Sequence, residues 1–122
     1  MRRSGVMNVL CAIACILLLA VGILHMSGIN YINDMVQQSD VSDLVKQIFP
    51  ILFLAPSIQL IVLAIFGLIA LSKPSRIVYA LISVFVLIDA IFAFWLNALI
   101  PGVILLLPGV IFVFLAWKPK TS

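Results

Sequence analysis

The chain has 122 residues, room for one domain; 66% of them are hydrophobic and only 9% charged, against about 45 to 50% apolar and about 25% charged in an ordinary soluble domain. That balance leaves too little polar side chain to coat a soluble globule, and it excludes a soluble enzyme, a disordered regulator and a nucleic-acid-binding module. The formal net charge of +3 therefore carries information through where the charges fall rather than through their sum.

The first apolar run covers 6–26 and is interrupted only by Asn8, Gly22 and His25. It is long enough to cross a bilayer. Arg2 and Arg3 resemble the basic start of a signal peptide, and Ala12-Ile13-Ala14-Cys15 faintly resembles a lipoprotein processing site. The apolar run nevertheless continues beyond Cys15 to Leu24, where polar mature sequence is expected after cleavage, so an uncleaved span is expected. Asn8, Cys11, Cys15 and Gly22 share one stripe, which predicts a close helix-packing face. Two cysteines inside an apolar run make neither a disulfide framework nor a zinc site. His25 and Met26 lack mates for a metal or haem, and His25 is expected to bond a loop at the membrane interface.

Residues 27–47 form the only substantial polar stretch. Val41, Leu44, Val45 and Ile48 stand at helical spacing, with Ser39 or Asp40 placed to cap the helix start, and Ile29, Ile32 and Val36 make a shorter stripe. The pattern predicts a short amphipathic helical segment on the outer membrane surface, either a lid or partner-docking face or a loop that tucks apolar residues onto the helix ends.

Three more apolar runs follow, over 48–71, 77–96 and 99–117, each long enough to span. Arg2, Arg3, Lys73, Arg76, Lys118 and Lys120 flank one side of such a four-span chain, and only Lys46 flanks the other, beside Asp34, Asp40 and Asp43. The positive-inside rule then puts both termini in the cytoplasm. Trp117 and Tyr79 on one side, with Trp95, Phe49 and Tyr31 on the other, fall where aromatic belts are expected. The fold expected over 1–122 is all-α: a single integral domain, a four-helix transmembrane bundle with both termini inside, in a cytoplasmic membrane.

One ionisable residue, Asp89, falls near the middle of the third span. A carboxylate at the centre of a membrane helix costs roughly 2.5 to 3.5 kcal/mol on insertion scales, so such residues usually face the bundle interior. Its own helical face, Ile82, Phe85, Val86, Phe92, Ala93 and Leu96, offers no side-chain hydrogen bond. Gln59 lies at similar depth in the second span, and Pro108 in the fourth leaves the Ile104 carbonyl without its helical donor. These four residues make the candidate ligand or proton site. A protonated Asp89 would donate to Gln59 or the Ile104 carbonyl and glue helices together; an ionised one would bind a proton or small cation. Pro56, followed by Ser57 and Gln59, predicts a kink in the second span.

The second and fourth spans also share a layout. Phe49-Pro50, Pro56 and Lys73-Pro74 parallel Ile100-Pro101, Pro108 and Lys118-Pro119, which suggests two hairpins related as parallel repeats, although the proline spacing differs between them.

No phosphate loop, acid pair, histidine cluster or nucleophile elbow is present in the sequence, so no catalytic residues, metal or cofactor are expected. The expected function is that of a non-catalytic accessory, assembly or interaction subunit, with the lipid bilayer and itself or another membrane protein as partners. The alternative is a small oligomeric transporter or channel that uses Asp89 for protons or a small solute.

Overall fold

The computed structural model describes residues 5–118 and is all-helical. Arg2, Arg3 and Lys120 of the basic flanks lie outside the described residues. The elements are α1 (Gly5–Ser27), α2 (Ile29–Gln37), α3 (Asp43–Ser72), α4 (Arg76–Trp95) and α5 (Leu99–Trp117). Four of them, α1, α3, α4 and α5, are long and apolar enough to cross a membrane.

The chain between α1 and α3 departs from expectation in its boundaries. The cap of α3 is Ser42, whose Oγ accepts from the Val45 N–H at 3.4 Å, rather than Ser39 or Asp40. Ser39 instead donates to the Val36 carbonyl at the end of α2. Val41 consequently precedes the helix, and only Leu44, Val45 and Ile48 of the expected stripe lie on α3. All four side chains are exposed. At 30 residues, α3 is about 45 Å long for a rise of 1.5 Å per residue, so it exceeds a hydrocarbon core of about 30 Å. Pro50 removes the donor that would have met the Lys46 carbonyl, and Gln37 Nε2 donates to that carbonyl at 3.1 Å, tying α2 to the first turns of α3.

The helices pack as two antiparallel hairpins, α1 on α3 and α4 on α5, joined along α1 and α5. In the first, Gly67 admits close approach, since a Cβ there would stand 2.5 Å from Cys15 Sγ and 3.1 Å from the Phe112 ring; Gly22 does the same against the Ser57 carbonyl at 3.1 Å. Cys11 Sγ donates to the Gly67 carbonyl. Of the stripe expected on α1, Cys11, Cys15 and Gly22 are buried against α3 and Asn8 is exposed.

In the second hairpin, Tyr79 and Phe112 lie with ring centroids 6.0 Å apart, and Arg76 donates to the Lys118 carbonyl at 3.0 Å. The α4–α5 turn is closed by hydrogen bonds from the Asn97 N–H to the Phe94 carbonyl and from the Ala98 N–H to the Ala93 carbonyl, at 3.0 and 2.8 Å. Asn97 takes the left-handed conformation this helix ending demands, with φ 60°, a role that asparagine fills more readily than most side chains.

Although α3 and α4 are joined by only Lys73, Pro74 and Ser75, they touch little. Tyr79 Oη donates to the Ala70 carbonyl at 2.9 Å and holds them together beside that link, and farther along they diverge. In cross-section the order is α3, α1, α5, α4, a U whose two arms fail to close. A strict two-fold relation between the hairpins would make the α3–α4 contact match the α1–α5 contact. The second is extensive and the first is small, so the two halves of the chain are not packed as equivalent repeats.

Candidate functional site

The space inside the U is not uniform. Toward the α3–α4 link it is filled by Cys11, Ala14, Cys15, Leu18, Ala64, Ala70, Tyr79, Ile82, Val86, Phe112 and Leu115, which form part of one buried cluster. Toward α2 it opens into a cavity of about 500 Å³. The walls come from all four long helices: Val21 and His25 of α1, Pro56 and Leu60 of α3, Asp89, Phe92, Ala93 and Trp95 of α4, and Pro101 and Leu105 of α5, with Leu96 and Ala98 from the intervening turn. Phe92, Trp95 and Leu96 line it while remaining 51, 77 and 78% exposed, so the cavity is open along α4. Helix α2 packs on α3 and α1 and on neither α4 nor α5, and the mouth between the arms is left uncovered by it.

Only two lining residues, Asp89 and His25, carry ionisable side chains. Asp89 Oδ2 is buried and has no hydrogen-bond partner. No lysine or arginine lines the cavity, so among the described residues the carboxyl has no counter-charge beside it. His25 is held from outside the cavity: its Nε2 bonds the Phe53 carbonyl at 3.0 Å and its ring stacks on Phe53 at 4.2 Å between centroids. Because a carbonyl only accepts, the Nε2 must carry the proton, which leaves Nδ1 as the second polar atom of the ring. The expected loop partner of His25 is thus replaced by a helix carbonyl three residues before Pro56.

Of the four candidate residues, the structure places Asp89 in the cavity and leaves Gln59, Ile104 and Pro108 out of its lining. Asp89 makes no hydrogen bond to Gln59 or to the Ile104 carbonyl among the described residues. Pro56 and Leu60 of α3 line the cavity with Asp89 while their neighbour Gln59 does not, so similar depth does not bring Gln59 to the acid. Pro108 is buried, next to Gly109, whose absent side chain makes room for Leu87 of α4. Ile104 is 38% exposed. The prolines that do line the cavity are Pro56 and Pro101. The sequence pattern flagged Pro56 as a kink, whereas Pro101, in the first turn of α5 where proline costs little, signalled nothing about a site.

Chemically, the arrangement offers one acid in the wall of an apolar pocket of the size that accommodates small organic molecules. Among the described residues no three metal-ligating side chains converge. Neither a protein-family model, nor a curated protein, nor a solved structure matches this chain.

Proposed function

We propose that the protein is a non-catalytic multipass membrane protein that holds a small solute against Asp89, with both termini in the cytoplasm and the cavity opening toward the outer face. The observation that carries this reading is Asp89, in the wall of a 500 Å³ cavity and with its Oδ2 buried and unpartnered. An intramembrane acid that merely joined helices would spend its hydrogen-bonding capacity on a neighbouring helix. The orientation rests on Lys73, Arg76 and Lys118 at the closed end of the bundle, together with Arg2, Arg3 and Lys120 in sequence. A cytoplasmic membrane, transport across it and self-association belong to the same reading.

The test is Asp89→Asn in proteoliposomes. Asparagine keeps the shape and loses the charge, so solute binding or flux is expected to disappear while the helical content stays. Full activity of this variant would sink the reading. Thiol labelling of Lys73→Cys and Lys118→Cys from opposite faces checks the orientation, which fails if the two react from different sides.

A second reading, an accessory subunit that engages another membrane protein, is favoured by the exposed Leu44, Val45 and Ile48 on the first turns of α3. Purification in mild detergent separates the two: a stoichiometric foreign partner favours the subunit, and a stable homo-oligomer with Asp89-dependent flux favours the solute site.

A further inference from the structure

Resting on the reading of Asp89 as a solute site, we infer that the solute is an amphiphile with a protonated amine head, seated with its head on Asp89 and its apolar tail leaving between α3 and α4 into the outer leaflet. Three independent features point to this chemistry. The cavity is lined by one acid, Asp89, whose Oδ2 is buried without a hydrogen-bond partner, and by no lysine or arginine. A buried carboxylate without a partner is strongly disfavoured, and an N–H-bearing cation supplies both the missing charge and the missing donor.

The walls come next. Apart from His25 the remaining lining is aliphatic, aromatic or proline. Such walls reward apolar surface at roughly 25 cal/mol per Å², and they offer nothing to a sugar, a phosphate or a hydrated ion. Phe92 and Trp95 bring stacked aromatic rings to the lining, with centroids 6.3 Å apart, and such rings suit a cation.

The third feature is the mouth. Near the link the arms of the U are fastened by Tyr79 Oη on the Ala70 carbonyl, and α2 does not pack across the gap. In a bilayer that gap faces acyl chains rather than water. A ligand with a tail longer than the cavity therefore leaves its tail in lipid, and the site draws on the concentration of ligand dissolved in the membrane.

The experiment uses the full chain in phosphatidylcholine nanodiscs with a photoreactive diazirine derivative of dodecylamine, mapped by mass spectrometry. Labelling is expected on Pro56 and Leu60 of α3 and on Phe92 to Leu96 at the end of α4, displaced by dodecylamine and at least ten-fold less well by dodecanol or dodecanoate. Asp89→Asn is expected to weaken labelling at least ten-fold, and Ala93→Phe, which fills the cavity and keeps the acid, to abolish it. Equal displacement by dodecanol, with Asp89→Asn unaffected, would overturn the amine head. Displacement by butylamine at the same aqueous concentration as dodecylamine would overturn the amphiphile and leave a polar-solute site standing. Labelling spread over the outer surfaces of the helices, with none in the cavity, would overturn both this inference and the solute site beneath it.

Discussion

The two ends of this bundle are built from the same apolar residue types and behave oppositely. At the link end, small residues on α1 and α3 let backbones approach until Gly67, Cys15 and Phe112 interlock, and the polar groups there are paired, Tyr79 with Ala70 and Arg76 with Lys118. At the α2 end, an acid stands unpaired in an open cavity. Hydrophobic composition alone does not decide whether helices close. Close crossings need small residues, as at Gly67 and Gly22, and interhelical hydrogen bonds such as Tyr79 on Ala70 add to that packing at the link end.

If that contrast is right, the largest effect belongs to the link end. Gly67→Val is expected to destabilise by about 3 kcal/mol, the upper part of the usual range for overpacking, since even its Cβ collides with Cys15 Sγ; unfolding in a mixed-detergent titration measures it. A loss no greater than at an exposed lipid-facing position would show that the link end is not tightly packed. Asp89→Leu reverses the sign: removing an unpartnered intramembrane acid is expected to stabilise the fold by about 2 kcal/mol, taken from its insertion cost, in the same titration. Destabilisation instead would mean that Asp89 has a structural partner.

Tyr79→Phe sharpens the comparison at the pivot between α3 and α4. Loss of its bond to the Ala70 carbonyl is expected to cost about 1 kcal/mol, and spin labels on α3 and α4 near the link should report a broader distance distribution. The smallest effect is expected from Ala93→Phe, within about 0.5 kcal/mol in unfolding, because the added ring enters open space. A large loss there would mean that the cavity closes in the membrane.

Much of the architecture was legible from composition. The apolar runs and their spanning lengths follow from hydropathy, whereas link length does not decide the pairing, since the three-residue α3–α4 link joins helices that touch little. The stripe of Cys11, Cys15 and Gly22 was readable because small residues repeat with the helical period. Asp89 stood out because an acid is anomalous in that run. Its surroundings were not legible: equal depth suggested Gln59, but depth along a helix says nothing about lateral separation, and the divergence of α3 and α4 is a property of how four helices pack together. The start of α3 was misplaced for a local reason, since Ser39, Asp40 and Ser42 are all capping types and only backbone geometry chooses among them.

Pro50 carries a consequence beyond its own turn. By withdrawing an N–H it frees the Lys46 carbonyl, and Gln37 takes hold of that carbonyl. A residue that ordinarily breaks helices serves here as a fastening point: α2 is moored to α3 by a vacancy in the backbone. Any movement of α3 would carry α2 with it, away from or toward the uncovered mouth.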